Sequence, residues 1–120
     1  MTQRTTVTYN QFDIVVVPFP FVDSQATKKR PAIILSSNQH FNADTGHSIM
    51  AMITSARNSS WPHDINITDL TNAGLPKPSV IRMKLFTLDH RLILEHIGTL
   101  SAKDKKTLSK TLKLIFNGLL

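Results

Sequence analysis

Cationic side chains lead directly into an apolar segment of this sequence, a combination that suits phosphate chemistry. Lys28, Lys29 and Arg30 are followed by Pro31 and then by Ala32-Ile33-Ile34-Leu35. Pro31 fixes its own backbone and biases Arg30 away from helix, which predicts a guanidinium at the start of a strand. A planar, permanently charged guanidinium can bind a phosphate through two hydrogen bonds. The alternative is a solubilising charge cluster at the end of a loop.

Hydroxyl and aromatic side chains give a second set of candidates. Thr54 and Ser55 end the apolar segment that precedes them, where they can donate to a phosphate oxygen or simply bond the neighbouring backbone. Arg57 follows closely, and Arg82 lies within an apolar stretch, where it must face outward or toward a polar cleft because burying it unpaired is prohibitive. Trp61 can stack on a base or cover the end of the core.

The composition favours a polyanionic partner and excludes several kinds of site. Lysine and arginine number 14 against 8 acidic residues, for a net charge of +6, and such an excess attracts nucleic acid. With no cysteine, disulfides and thiolate zinc sites are excluded. The usual nucleotide-binding and hydrolase signatures are missing, and no histidine pair has helical metal spacing. We therefore expect no metal, no cofactor and a soluble, cytoplasmic protein.

The apolar pattern predicts a bent antiparallel sheet with a C-terminal helix. Predicted strands cover residues 12–17, 31–36, 48–54, 64–67, 79–83 and 92–97. The prolines at 18 and 20 are expected to end the first strand, residues 22–29 to form a mobile loop, 37–47 to form a second loop, and 68–74 to form one helical turn. A flexible tail, 1–10, would precede a single domain, 11–120.

The C-terminal helix has the clearest sequence signals. Ser101 and Asp104 resemble a capping box, in which the acid reaches back to free backbone donors. Four apolar residues then recur at helical spacing and predict one buried stripe: Leu108, Leu112, Ile115 and Leu119. Five lysines of this region are expected to form its solvated face, so we discount them as a binding site.

The order of these segments resembles the PemK/MazF family of toxins. The resemblance is carried by residues 12–21 (FDIVVVPFPF), 29–36 (KRPAIILS), 53–55 (ITS), 74–82 (GLPKPSVIR), 87–89 (TLD) and 97–101 (IGTLS), and it extends over about 10–118. It implies a mainly β fold with α, an SH3-like, CcdB/PemK-like partly open antiparallel β-barrel with a C-terminal helix. It also implies a two-fold homodimer.

The resemblance further implies an mRNA interferase, the toxin of a type II toxin–antitoxin pair. Such a toxin cuts single-stranded RNA sequence-selectively and without metal, by 2′-hydroxyl attack that leaves 2′,3′-cyclic phosphate and 5′-hydroxyl ends. It is inhibited by an antitoxin whose acidic, disordered segment lies along the RNA groove. The catalytic arginine and threonine of the family fall on Arg30 and Thr54. The expected RNA-binding residues are Lys28, Lys29, Ser55, Arg57, Trp61, Arg82 and Lys84.

Two departures from the family pattern keep alternatives open. Lys84 stands where many members carry an acid, and 23–25 (DSQ) replaces a Gly-x-Glu motif. The base that takes the 2′ proton is therefore unassigned, with His63 and Lys29 as candidates. One alternative is a CcdB-like gyrase poison, which acts through a C-terminal tryptophan where this chain has 116–120 (FNGLL). The other is a non-catalytic nucleic-acid-binding module of the same fold.

Overall fold

A single antiparallel sheet carries most of the chain. The computed structural model describes residues 7–19 and 28–119. The strands are β1 (Asp13–Phe19), β2 (Lys28–Ile34), β3 (His47–Ser55), β4 (Ile65–Asn66), β5 (Ser79–Asp89) and β6 (Glu95–Thr99). The α-helices are α1 (Ala43–Thr45), α2 (Leu70–Ala73) and α3 (Ala102–Ile115), with a π-helical turn at Asn38–Asn42 and a 3₁₀ turn at His90–Leu92.

The strands pair in the order β4-β5-β3-β2-β1-β6, with every pair antiparallel. The sheet is curled into a half-barrel, and the C-terminal helix α3 follows its last strand. The expected fold class, mainly β with a partly open barrel and a C-terminal helix, is thereby confirmed.

Side chains alternate between the two faces of this sheet, and each face has its own apolar cluster. On the first face, Ile33 and Ile53 pack in one cluster with Leu108 of α3. On the second face, Val17, Ala32 and Met50 belong to a separate cluster. Next to the second cluster, the same face of the sheet carries polar and charged residues instead of apolar ones. The candidate site lies at that end of the face.

Both strands that lead into the candidate site are longer than predicted. β1 continues through Pro18 to Phe19, and β2 begins at Lys28 rather than at residue 31. Pro18 is tolerated because β6 pairs with β1 only from Asp13 to Val16, so the missing donor faces no strand partner there. Lys28 and Lys29 are therefore strand residues, whereas residues 20–27 of the expected mobile loop lie outside the described residues.

Other predicted boundaries were also wrong, among them the start of the last strand, which is Glu95 rather than residue 92. Residues 38–45, expected to be loop, form the π-helical turn and α1. Ser37 starts this segment because its hydroxyl accepts from His40 N, the kind of local bond that favours a helix start. β5 continues six residues beyond its predicted end, with a register shift opposite the Ala51–Met52 step. The helical turn expected in 68–74 is confirmed as α2.

The cap of α3 is confirmed, but its acid has another role. Ser101 Oγ accepts from Asp104 N at 3.2 Å. The Asp104 carboxylate is 1% exposed and accepts from Thr68 N (2.9 Å), Thr68 Oγ1 (2.8 Å) and Asp69 N. It therefore ties α3 to the segment before α2 instead of completing a capping box. The predicted stripe is only half right, since Leu108 is buried but Ile115 and Leu119 are exposed.

Candidate functional site

The register of the sheet brings Arg30 and Thr54 to neighbouring strands at the same level. β2 and β3 pair Ala32 with Met52, and Arg30 and Thr54 each lie two residues beyond that pair, toward the same end of the sheet. Residues two apart in a strand project to the same face, so both side chains lie on the second face of the sheet, where they line one cavity. Sequence reasoning put both residues at strand ends, and the structure places them in β2 and β3.

Arg30 and Thr54 line a cavity of about 330 Å³ at the end of β2 and β3, which we call the arginine–threonine cavity. Its other lining residues are Lys29, Pro31, Ile53, Ser55, Leu75, Pro76, Lys77 and Ser79. Apolar walls beside cations and hydroxyls suit an anionic group. Lys77 was not singled out by sequence reasoning, although it lies in the 74–82 segment that carried the family resemblance.

The same two residues also line a second cavity of about 300 Å³, which opens on the second face and which we call the sheet-face groove. Its remaining lining residues are Phe19, Met52, Asn58, Arg82 and Lys84. Arg30 therefore stands between two cavities. Its guanidinium carbon lies 5.5 Å from the centroid of the Phe19 ring, and its buried Nε has no hydrogen-bond partner among the described residues.

Asn58 contacts Thr54 directly, and sequence reasoning missed it. Asn58 Nδ2 donates to Thr54 Oγ1 at 2.5 Å. A hydroxyl has one proton to donate and two lone pairs, so this bond uses an acceptor site and leaves the Thr54 O–H free to donate. Asn58 lies in a run of small polar residues with no periodicity, and nothing in the sequence marks it apart from its neighbours.

Arg82 lines the groove, but its guanidinium is engaged within the protein. Its Nε and Nη2 donate to the two carboxylate oxygens of Asp64 at 3.1 and 2.8 Å, and Nη2 also donates to Ser59 O at 2.5 Å. Both ion-paired side chains are largely buried, at 11% and 15% exposed. The hydrogen bond from Arg82 holds the pKa of Asp64 below its ordinary value, and the same pairing raises the pKa of Arg82.

This ion pair orders the segment between β3 and β4, which we call the β3–β4 loop (residues 56–64). Asp64 Oδ2 accepts from Trp61 N at 3.0 Å, and Asp64 N donates to Trp61 O at 3.2 Å. The loop carries Arg57, Asn58 and Trp61, so a sheet arginine fixes the segment that holds three candidate residues.

Lys84 and Trp61 meet above the groove. Lys84 Nζ lies 4.7 Å from the centroid of the Trp61 ring, within the range of a cation–π contact. Trp61 is 43% exposed, so it does not close the core, and one of its two predicted roles is excluded. Residue 84, where many family members carry an acid, is therefore a lysine whose ammonium group lies on an exposed indole ring.

Among the remaining predicted RNA-binding residues, Lys28 and Arg57 lie at the edges of the site, whereas Ser55 also lines the arginine–threonine cavity. Lys28 is exposed at the start of β2, opposite Phe19. Ser55 and Arg57 line a third cavity with Lys77 and Pro78. His63, one of the two candidate bases, lies in a turn with φ +64° and lines none of these three cavities, whereas Lys29 lines the arginine–threonine cavity. The 23–25 departure lies outside the described residues.

The described ranges, 7–19 and 28–119, hold no cluster of three or more histidine or acidic residues that could bind a metal ion. Within the same ranges, every helix is too short or too polar to cross a bilayer.

Known structures share this fold. MazF from Deinococcus radiodurans is 19% identical, with a TM-score of 0.72 over 92% of this chain and 98% of that chain. Mycobacterium tuberculosis toxin MazF-mt6 is 21% identical, with a TM-score of 0.67 over 88% and 96% of the two chains. A mycobacterial endoribonuclease in complex with its cognate antitoxin is 12% identical, with a TM-score of 0.69 over 91% and 93%.

No curated protein sequence matches the chain significantly. The family comparison is direct, however, because residues 10–116 match the PemK-like, MazF-like toxins of type II toxin–antitoxin systems. That range spans β1 to the end of α3 and includes every residue of the two cavities. The chain therefore belongs to the PemK/MazF family of type II toxin–antitoxin toxins.

Proposed function

We propose that this toxin is an mRNA interferase, an endoribonuclease that cuts single-stranded RNA without a metal ion. The observation that carries the proposal is that Arg30 and Thr54 share the arginine–threonine cavity and the sheet-face groove. A strand of RNA lying along the groove would present a phosphate to both side chains. The excess of cations over acids in the chain supports a polyanionic substrate.

The residues of the two cavities suit the charge that develops in this reaction. The ribose 2′-hydroxyl gives its proton to a base as its oxygen attacks the adjacent phosphorus, and the bond from phosphorus to the 5′-oxygen breaks. The 5′-oxygen takes up a proton as it leaves, so the products carry a 2′,3′-cyclic phosphate and a 5′-hydroxyl. Negative charge grows on the phosphate oxygens during attack. Arg30, whose Nε lacks a partner in the described part of the chain, supplies fixed positive charge there. The free Thr54 O–H donates to a second oxygen.

Neighbouring residues orient these groups and hold the RNA. Asn58 directs the Thr54 proton toward the phosphate by occupying an acceptor site on Oγ1. Arg82 acts through the ion pair that orders the β3–β4 loop, so we assign it a positioning role rather than a phosphate contact. Trp61 offers an exposed ring on which a base can stack. Of the two candidate bases, Lys29 is the one that lines the cavity.

We also propose a cognate antitoxin and a homodimer. MazE–MazF from Deinococcus radiodurans and the mycobacterial endoribonuclease were crystallised as toxin–antitoxin complexes, and an acidic, disordered antitoxin segment would suit a cationic groove. Exposed apolar side chains near the end of α3, among them Leu114, Ile115 and Leu119, supply a surface for a second copy. The cytoplasm, where mRNA is available, is the expected location.

The decisive experiment incubates the purified protein with a mixed pool of single-stranded RNA in excess EDTA. We expect cleavage at a restricted set of sequences, with 5′-hydroxyl ends that polynucleotide kinase labels without prior phosphatase treatment. Sequencing the products then gives the recognition site. RNA that stays intact at micromolar protein, or cleavage that EDTA abolishes, would refute the proposed mechanism.

A further inference from the structure

A third cavity lies directly beyond Thr54, at the end of β3. It has a volume of about 260 Å³ and is lined by Ser55, Arg57, Lys77 and Pro78. We call it the Arg57–Lys77 cavity. Two hydrogen bonds hold its walls: Ala56 N donates to the backbone Pro78 O at 3.0 Å, and Arg57 N donates to the side-chain Ser55 Oγ at 3.2 Å. The segment after β3 is thereby hydrogen-bonded to the segment before β5, so the fold holds the walls of the cavity in place.

Lys77 lines this cavity and also the arginine–threonine cavity, and so does Ser55. The two cavities are therefore adjacent, with Lys77 and Ser55 on their common wall. Ser79 Oγ donates to Lys77 O at 2.8 Å, which fixes the backbone from which the lysine side chain projects.

Neither cation of this cavity is neutralised within residues 7–19 and 28–119. The ion pairs there involve Arg82, Arg91, His47 and His96, but not Arg57 or Lys77. Two exposed cations that line one cavity with a hydroxyl raise the local concentration of anions. Lysine provides a point charge and arginine a fork, and both bind phosphate.

We propose that the Arg57–Lys77 cavity is a second phosphate subsite, which binds a phosphate of the same RNA strand that flanks the scissile one. The inference rests on the proposed function, because the scissile phosphate must lie between Arg30 and Thr54. A strand leaving that position past Ser55 meets Lys77 first and Arg57 next. The subsite holds the strand through charge and reads no base, so it contributes affinity rather than sequence selectivity.

The test measures binding of a randomised, fully 2′-O-methylated RNA, which lacks the attacking hydroxyl and stays intact. Its dissociation constant is measured by fluorescence anisotropy over a series of salt concentrations. For single strands, the slope of log affinity against log salt falls by about 0.7 for each lost phosphate contact. We expect that loss in Lys77→Ala and in Arg57→Ala, and a wild-type slope in Lys77→Arg. Lys110→Ala, which removes an exposed α3 cation, is the matched control.

The outcomes separate this inference from the proposed function. Wild-type slopes in Lys77→Ala and Arg57→Ala would overturn the subsite, even if natural RNA is cleaved. No measurable RNA binding by the wild-type protein would overturn both proposals. Inorganic phosphate is tested in the same assay at constant ionic strength. Phosphate binding that depends on Lys77 without any change in the RNA slope would assign the cavity to a free anion and overturn the RNA subsite.

Discussion

Arg30 and Thr54 contribute little to the fold, because both line two cavities. Within residues 7–19 and 28–119, the Thr54 hydroxyl is hydrogen-bonded to the exposed Asn58. We therefore expect Arg30→Ala and Thr54→Ala to cut RNA about 10²–10³-fold more slowly, the usual cost of removing a donor that stabilises transition-state charge. Both variants should melt close to the wild-type temperature. Single-turnover cleavage and thermal melting measure the two effects.

Matched controls exist for both substitutions. Arg91 has a highly exposed side chain away from the groove, and Thr87 is an exposed threonine of β5. Arg91→Ala and Thr87→Ala should cleave at the wild-type rate. If Arg30→Ala or Thr54→Ala cleaves as fast as these controls, the corresponding catalytic assignment is wrong.

Asn58 should act only through Thr54. In Asn58→Ala the threonine hydroxyl is free to rotate, so we expect kcat to fall about tenfold with KM unchanged. The same substitution made in Thr54→Val should have no further effect, since coupled residues are not additive. An equal loss in both backgrounds would show that Asn58 acts independently of Thr54.

At the scale of elements, the conformation of the β3–β4 loop depends on one ion pair, whose arginine lies in the sheet. The hydrogen bond from Arg82 lowers the pKa of Asp64, so the pair stabilises the protein above the unfolded-state pKa, near 4. This contribution is lost as the pH falls through the lower, folded-state pKa. Wild type should therefore melt above Asp64→Asn at pH 7, and the difference should shrink below pH 4.

Thermal melting of both proteins between pH 7 and pH 3 tests this expectation. Asp44→Asn, at an exposed position in α1, is the control and should follow the wild-type curve. A constant difference between wild type and Asp64→Asn across the whole range would mean that titration of Asp64 does not stabilise the loop.

Elements with strong local signals could be predicted from the sequence, whereas the long-range contacts that join them could not. The β-branched run of β1, the apolar run of β3 and the serine cap of α3 are local patterns, so their existence followed from sequence. The pairing of Arg82 with Asp64, and that of Asp104 with Thr68, joins residues far apart in the chain. No periodicity encodes such a bond. For the same reason Arg30 and Thr54 could be proposed as neighbours only through the family resemblance.

At the scale of the whole molecule, α2 and β6 approach so closely that no side chain fits between them. A Cβ on Gly98 would lie 2.4 Å from both Ala73 C and Ala73 O, and 2.6 Å from Asn72 O. These atoms are backbone and cannot rotate away. Gly98→Ala should therefore lower the free energy of unfolding by about 1–3 kcal/mol, as overpacking does.

Urea denaturation measures this loss. Gly46 is the contrasting position, because a Cβ there meets nothing within 4 Å and its φ of +66° is one that asparagine tolerates. Gly46→Asn should change the free energy of unfolding by less than Gly98→Ala. An unfolding curve for Gly98→Ala that overlays the wild type would contradict the close approach of α2 and β6.

The two faces of the sheet have separate roles, and this separation affects how such toxins can diversify. The helix α3 packs on the first face, whereas Arg30, Thr54, Arg82 and Lys84 lie on the second. Substitutions around the groove therefore leave the contacts of α3 intact. We expect that the RNA sequence cut by members of this lineage can drift, or be reprogrammed in the laboratory, through changes on one face while the other preserves the fold.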